Sequence, residues 1–329
     1  MPETPLTPGP LLALAGGYWE SHALHAGVVL DVFGPLAAGP LDACALAEKT
    51  GCDVRALDML LVALTSLKLL AKSGGAYRLS ESAREFLVKD SPRYVGNMIR
   101  HHHHLAALWS RLDEAVAAGA PVRSSMPASE REDFLLGMFN VAMGIAPNLA
   151  PRMPLSGRER LLDVGGGPGT YAVQFCLAHP KLRATIFDLP GSRPIAEAIA
   201  ERFGVSGRVD FAAGDYLEND LPGGYDAAWL SQILHAESPE RCLTILRKAA
   251  GALTPGGALF VHEFLLDDAM DGPLFPALFS LNMLLQTRGG QSYSDGQVRS
   301  MLAEAGLTDI RRMGFRGPTD SGILWGIKA

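Results

Sequence analysis

The stretch Leu161–Thr170, Leu-Leu-Asp-Val-Gly-Gly-Gly-Pro-Gly-Thr, constrains the fold more than any other part of the chain. An apolar run flanked by arginine, a glycine-packed turn and a helix-compatible segment from Tyr171 to His179 give strand, loop and helix in succession. Glycine is needed where a backbone turns with positive φ, or where a ligand comes too close for a Cβ. Such a turn at the carboxyl end of a buried strand builds the crevice in which α/β sheets bind nucleotides. The dinucleotide fingerprint G-x-G-x-x-G needs its third glycine at position 170, where this chain has Thr170. In its place stand three alternate glycines, Gly165, Gly167 and Gly169, with an acid, Asp163, two residues ahead of the first. NAD is therefore not the expected ligand. A turn with no ligand at all is the competing reading of one glycine-rich loop, so the following strand ends have to decide.

Those ends carry further signals. A second strand, Arg183 to Leu189, closes on Phe-Asp-Leu-Pro and places Asp188 25 residues after Asp163. An acid at that level can bond ribose hydroxyls, although a helix N-cap acid looks the same in sequence. Val209–Ala213 forms a third strand ending in Gly214-Asp215-Tyr216. Gly214 permits close approach, Asp215 can accept from an adenine amino group, and Tyr216 can stack on a base. A fourth, almost wholly apolar strand from Tyr225 to Leu234 suits a buried parallel position and ends in Ser231-Gln232-Ile233-Leu234-His235. A helix from Pro239 to Leu253 and a strand from Ala258 to Glu263 follow; Ile310–Arg312 and Ile323–Lys328 read as a closing antiparallel hairpin. Alternating strands and helices followed by a hairpin predict an α/β doubly wound sheet.

The net charge of −6 gives no global basic field to draw the chain to nucleic acid or anionic membrane, and neither is an expected partner. The four cysteines (Cys44, Cys52, Cys176 and Cys242) form no C-x-x-C pair, which argues against zinc or a disulfide framework and for a reducing compartment. The start, Met1-Pro2-Glu3-Thr4-Pro5, lacks a basic n-region, and no apolar run of the ~18 residues a membrane span needs is expected. A soluble, cytoplasmic protein is the expectation.

The first hundred residues have another pattern. Pro2, Pro5, Pro8 and Pro10 suggest an extended leader, and Tyr18 to Val32 a helix ending near Gly34-Pro35. Helical stretches at Leu41–Thr50 and Arg55–Leu70, a turn at Ser73-Gly74-Gly75 into Ala76–Leu79, and a helix from Glu81 to Val88 outline a winged helix. Seven Lys/Arg balance seven Asp/Glu between Pro40 and Asp90, and the would-be recognition helix is apolar and carries Asp58. A DNA reader needs surplus positive charge. An apolar helix on a neutral domain predicts a protein-facing surface instead, and so dimerisation. His101–His104 lie in a helical segment running to Ala118; with no carboxylate or cysteine at ligand spacing, no metal is expected there. A linker helix or a wall of the acceptor pocket are the two readings that remain. The expected domains are 1–105 (winged-helix-like dimerisation), 106–154 (linker helices contributing to the substrate pocket) and 155–329 (cofactor-binding sheet).

With these residues in view, the chain resembles the cation-independent, S-adenosylmethionine (SAM)-dependent small-molecule O-methyltransferases, the group with caffeate-type, acetylserotonin-type and many bacterial enzymes. The most specific matches are Leu162-Asp163-Val164-Gly165-Gly166-Gly167-Pro168-Gly169, Phe187-Asp188-Leu189-Pro190, Gly214-Asp215 and Ile233-Leu234-His235; Phe134–Met138 and Gly289-Gly290-Gln291 add weaker ones. The resemblance implies SAM as cofactor, held by Asp163, Gly165, Gly167, Asp188, Leu189, Gly214, Asp215, Tyr216 and Ser231. It implies a homodimer through the N-terminal domain, His235 as general base and Glu263 as the carboxylate that orients it. Glu263→Gln is expected to be milder than His235→Ala, since the amide keeps an acceptor. A small aromatic acceptor would lie among Met138, Met143, His101, His104, Met283 and the Phe275–Leu285 segment.

Two departures stand out: Ala236 follows the histidine where the family has Asp, and Ser292 aligns with the family's second glutamate. They leave open a SAM-binding relative with other chemistry, such as C-methylation, hydroxylation or decarboxylation. A SAM-sensing winged-helix regulator is a further alternative.

Overall fold

A computed structural model describes residues 7–123 and 125–329. The chain divides into two compact units, with the boundary between Ala106 and Ala107.

The smaller unit begins with helices α1 (Gly9–Gly16), α2 (Tyr18–Val29), α3 (Phe33–Leu36), α4 (Ala43–Thr50) and α5 (Val54–Ser66). A hairpin of β1 (Leu70–Ser73) and β2 (Ala76–Leu79), then α6 (Glu81–Phe86), complete the winged-helix outline, and most of α7 (Gly96–Trp109) follows. The side chains of Asp42 and Asp53 start α4 and α5 by accepting the N–H groups of Ala45 and Ala56, each at 2.8 Å. Val32, Phe33, Leu36, Leu46, Leu61, Leu64 and Tyr77 are wholly buried and form the core. Asp58 on α5 is partly exposed; it accepts from the Tyr77 hydroxyl at 2.6 Å, and Lys72 Nζ lies 2.6 Å from the same hydroxyl. At the other extreme Leu11, Leu12, Leu14, Tyr18 and Trp19 are 58–80 % exposed within the chain.

Several local expectations need correcting. Pro8 and Pro10 do not extend the chain but open α1, where a proline's missing N–H costs nothing; Pro2 and Pro5 lie outside the described residues. Gly34-Pro35 does not end a helix either, because both residues fall inside the short α3. Lys68, at φ 62°, stops α5 early and hands Leu70 to the hairpin. The helical segment through the histidines breaks at residues 110–111 into α7 and α8 (Leu112–Ala118).

The larger unit continues with α9 (Ala128–Met143) and α10 (Ala146–Leu149), then β3 (Arg160–Val164), α11 (Thr170–Ala178), β4 (Arg183–Asp188), α12 (Arg193–Arg202) and β5 (Val209–Ala213). Next come β6 (Tyr225–Ser231), α13 (Pro239–Ala252), β7 (Leu253–Leu266), α14 (Leu274–Gln286), β8 (Tyr293–Ser294), α15 (Asp295–Glu304), β9 (Leu307–Arg312) and β10 (Ser321–Lys328). The sheet runs β5-β4-β3-β6-β7-β10-β9, with β8 paired to the far end of β7. Strands β3 to β7 are parallel, and β10 inserts antiparallel between β7 and β9. The closing hairpin thus pairs as expected, but it enters the sheet by its second strand, a long-range choice that local sequence does not encode.

Strand order reverses between β3 and β6, so the loops after these two neighbouring strands flank the switch-point crevice. Each face of the sheet has its own core. Leu162, Val164, Leu230, Leu259 and Val261 pack with α13 and α15; Leu161, Ala227, Trp229 and Phe260 pack with α11. Trp229 is fully buried, with ring centroids 5.1 Å from both Tyr171 and Phe175.

Among the described residues one helical stretch, Ala128–Arg152, is by length and composition apolar enough to cross a membrane. Residues 134–151 hold no charged side chain, which corrects the expectation that no such run exists. Its composition has an internal reason: Leu135, Phe139, Ala142, Ile145 and Leu149 are buried in the larger unit. Trp229→Ala should cost about 3–5 kcal/mol, the range for truncating a large buried aromatic, and lower the urea midpoint for unfolding of the larger unit; an unchanged midpoint would contradict this packing.

Candidate active site

The glycine turn is a backbone cradle. Gly165, Gly167 and Gly169 have φ of 66°, 52° and 71°, the left-handed region that side chains disfavour. A Cβ on Gly165 would stand 2.3 Å from Ile233 Cδ1, and one on Gly169 2.3 Å from Ile186 Cδ1. Gly166 is constrained from beneath, since its Cβ would fall 2.7 Å from Asp163 Cγ. Helix α9 passes close by: Leu135 Cδ2 is 3.8 Å from a Cβ built on Gly167, and Arg131 Nη1 is 3.2 Å from one built on Gly191.

Asp163 lies under this turn, 2 % exposed. It accepts the N–H of Ala172 in the first turn of α11, and its Oδ2 has no partner among the described residues. Burial, with the nearby Asp188 adding to it, pushes the Asp163 carboxyl up to about 7. Asp188, at the end of β4, accepts from Gly167 N (2.8 Å), Leu189 N (2.7 Å) and Ser192 Oγ (2.7 Å). It therefore fastens the glycine turn to its own loop. Burial raises its pKa, against the pull of these hydrogen bonds. Leu189, next to it, is 56 % exposed.

At the end of β5, Gly214 leaves room for Phe187, whose Cζ would be 2.3 Å from an added Cβ. Asp215 Oδ1 accepts the Leu217 N–H at 2.8 Å, so this carboxylate shapes its own turn. The Tyr216 ring lies 3.6 Å from a Cβ built on Gly165, and its hydroxyl donates to Glu237 at 3.1 Å. Burial, then the Glu237 charge, raises the Tyr216 phenol well above its ordinary range. Arg241 holds the other Glu237 oxygen at 3.1 Å. Glu237 was not anticipated from the sequence; its only signal there is an acid two residues past His235.

Beyond β6 the chain makes a tight turn. Gln232 sits at φ 61°, a non-glycine residue in the left-handed region, and its buried Oε1 has no partner among the described residues. Leu234–Ala236 form one short 3-10 turn. Glu263 on β7 reaches into it: Oε1 accepts from the backbone N–H of Ile233 and of Leu234, both at 2.7 Å, and Oε2 lies 2.8 Å from His235 Nδ1. Glu263 is 2 % exposed and His235 8 %. Phe264 stacks near His235 at 5.9 Å and Phe279 meets it edge-on at 4.7 Å; Phe275 packs on both phenylalanines. Gly290 closes the back, because a Cβ there would sit 2.6 Å from the His235 carbonyl oxygen.

Known proteins with this architecture settle the family. A family model described as O-methyltransferase domain matches residues 108–308, and one described as O-methyltransferase dimerisation domain matches residues 12–89. The chain belongs to the O-methyltransferases. It is 36 % identical to 3-hydroxy-5-methyl-1-naphthoate 3-O-methyltransferase of Streptomyces sahachiroi, over 97 % of this chain and 95 % of that one. Among solved structures it resembles PigF with SAH (TM-score 0.90, 30 % identity, 98 % of this chain and 100 % of that one). It also resembles human N-acetylserotonin methyltransferase in complex with SAM (TM-score 0.87, 28 % identity, 100 % of each chain). The protein is an enzyme of this family, a SAM-dependent O-methyltransferase. The crevice suits that cofactor: its glycine turn carries no side chains at three left-handed positions, and Asp188 and Asp215 stand at the adjoining strand ends, where carboxylates favour a sulfonium cation.

Of the residues expected at the site, the structure gathers Gly165, Gly167, Asp188, Leu189, Gly214, Asp215 and Tyr216 at the ends of β3, β4 and β5, and joins His235 to Glu263. The Ser231 hydroxyl lies 2.9 Å from His262 Nδ1. Met138 is half-buried on α9 and Met283 buried on α14; Met143 Sδ accepts from Gln174 on α11. His101 and His104 belong to the smaller unit. Among the described residues no group of three His, Cys, Asp or Glu is placed to hold a metal. Phe264, Gln232 and Gly166 were missed; glycine-on-glycine was a sign for the last, while an aromatic or amide in an apolar strand gives none.

Asp163 makes a pH prediction. Unfolded, its carboxyl ionises near 3.8; folded, it stays protonated to about 7. Its stabilising contribution is thus complete below pH 3.8 and lost as pH rises to about 7, up to ~4 kcal/mol in all. Asp163→Asn should flatten this loss, so the SAM-free variant gains on wild type in urea unfolding at pH 8 relative to pH 5. Parallel pH dependences would refute the buried acid.

Proposed function

We propose that this enzyme transfers the methyl group of SAM to a hydroxyl of a small aromatic acceptor, with His235 as the general base and Glu263 orienting it. The observation that carries this reading is the 2.8 Å contact between His235 Nδ1 and a Glu263 carboxylate whose other oxygen is fixed by two backbone N–H groups. A carboxylate accepts only, so it holds the proton on Nδ1 and leaves Nε2 with a lone pair. SAM, when bound, supplies a methyl already activated on a sulfonium. The protein's tasks are alignment and proton removal: His235 Nε2 takes the hydroxyl proton as the acceptor oxygen acquires the methyl. The wall of Phe264, Phe275 and Phe279 beside His235 favours a flat, aromatic guest. The naphthoate acceptor named for the Streptomyces sahachiroi relative is of that kind.

For the cofactor, the same reading gives Asp188 the ribose hydroxyls, Leu189 and Tyr216 the faces of the adenine, and Asp215 its amino group. Gly165, Gly167 and Gly214 give close approach, Asp163 holds the turn from below, and Ser231 borders the methionine end. Met138 and Met283, both in the larger unit, are assigned to the acceptor pocket. Residues 1–105 form the dimerisation domain, 106–154 the linker helices and 155–329 the SAM domain of a cytoplasmic homodimer. The exposed Leu11, Leu12, Leu14, Tyr18 and Trp19, together with the dimerisation-domain match, support a second copy as what covers α1 and α2.

His235→Ala should leave SAH affinity nearly intact and lower turnover by ~10²–10⁴. The geometry revises the expectation for Glu263→Gln. An amide has one oxygen; kept on the two backbone N–H groups, it turns its NH₂ toward Nδ1 and drives the imidazole to the wrong tautomer. Glu263→Gln should therefore be nearly as damaging as His235→Ala. Normal turnover by His235→Ala with a hydroxynaphthoate would remove the base assignment. For the assembly, light scattering at micromolar concentration should give twice 35.0 kDa, and a clean monomer would rule the homodimer out.

A further inference from the structure

His262 has no part in the chemistry above, yet it is 1 % exposed in the middle of the unit. It precedes Glu263 on β7, and because side chains alternate along a strand it points to the opposite face. There its ring stacks on Trp229 at 5.7 Å and meets Tyr171 and Phe315 edge-on. Its Nδ1 lies 2.9 Å from Ser231 Oγ and 3.4 Å from the Tyr171 hydroxyl, and its Nε2 lies 3.0 Å from Ser321 Oγ on β10. Its carbonyl oxygen accepts the Gln232 N–H at 2.9 Å. One residue therefore holds both Ser231, by its ring, and Gln232, by its backbone. These two residues launch the turn that ends in His235, and Gln232 is the member in the left-handed conformation. A strained conformation persists only where its surroundings over-determine it. Burial lowers the His262 pKa to about 4, so near neutral pH the ring is uncharged, with one donor and one acceptor nitrogen. Serine hydroxyls on both sides can serve either tautomer.

We propose that His262 is a positioning residue for the base: with Glu263 it clamps residues 231–235 from the two faces of the sheet, and through Tyr171 it ties that turn to the helix after the glycine loop. The proposal rests on the reading of His235 as the base only for its effect on turnover; the clamp itself is a statement about the turn. The competing role is packing alone, a neutral ring filling space beside Trp229.

Two substitutions separate these. His262→Phe keeps the ring and its stack and loses the side-chain hydrogen bonds to Ser231, Tyr171 and Ser321. His262→Asn loses the stack and keeps a polar atom near the place of Nδ1 for Ser231. If His262 clamps the turn, His262→Phe lowers turnover of a hydroxynaphthoate ~30-fold or more and His262→Asn ~5-fold or less, with SAH affinity within ~3-fold of wild type in both. Packing alone predicts the reverse order, and that result would overturn the proposal. Hydrogen exchange on the SAH-bound protein gives a readout free of any acceptor. Amides of residues 232–235 should exchange ~10-fold or more faster in His262→Phe, with those of β3 and α11 unchanged; unchanged exchange at 232–235 also overturns it. Should either variant fold poorly, Ser321→Ala, which frees only Nε2, is expected to raise exchange at the same amides by ~3-fold or more, and no rise refutes the clamp. Normal turnover by His235→Ala would remove the base assignment alone, since the exchange experiment judges the clamp by itself.

Discussion

A single buried carboxylate organises the working end of this enzyme. Removing an ionised group from water is costly unless every lone pair finds a donor, and Glu263 finds three: two backbone N–H groups on one oxygen and an imidazole on the other. These contacts cannot be satisfied separately. The chain must leave β6, turn within two residues and present His235, or the carboxylate is left buried and unpaired. Gly290, pressed against the His235 carbonyl, and Phe279, against the ring, fit around a turn whose course the carboxylate has already set.

The sheet's topology places that turn beside the cofactor cradle. Because β3 and β6 are neighbours and strand order reverses between them, the loops at their carboxyl ends open onto the same crevice. Ile233, from the turn after β6, is the side chain that a Cβ on Gly165 would strike. The glycine is thus needed by the turn after β6. Asp188 ties the cradle to the next strand end through the Gly167 N–H, and Tyr216 links the β5 loop to Glu237, two residues past His235. Four strand ends are joined by direct contacts, so a cofactor bound to one of them is located relative to all.

How much of this was legible depends on whether the signal is local. Gly165, Gly167 and Gly169 announce themselves, because few contexts demand left-handed backbone three times in five residues. Asp188 and Gly214 follow from counting strands. The His235–Glu263 pairing was legible because adjacent parallel strands in register put their ends at one level. The partition of the smaller unit was harder: prolines and glycines read as stops also fit the first turn of a helix, as Pro10 and Pro35 do. The insertion of β10 between β7 and β9 is a long-range pairing with no local mark. Phe264 and Phe279 look in sequence like any core aromatic, and only the fold puts them against an imidazole. His262 is the same case in reverse, a histidine in an apolar strand whose side-chain partners Ser231, Tyr171 and Ser321 come from three different elements.

The two departures from the family pattern acquire a local account in this framework. Ser292 is 1 % exposed; its hydroxyl donates to the Pro276 carbonyl at 2.8 Å and its N–H to the Ser280 hydroxyl at 2.9 Å, so the position fastens β8 to the helix that carries Phe275 and Phe279. A glutamate there would put a second charge into a closed polar junction whose acceptors are already oxygens. Ala236 lies at the end of the turn, where its N–H is used by the Ile233 carbonyl at 3.1 Å. With one carboxylate on one nitrogen, the tautomer of the proposed base is defined without further acids. SAM brings its own activation, so the site has only to orient one lone pair and exclude the wrong tautomer. A single, fully bonded glutamate meets that requirement.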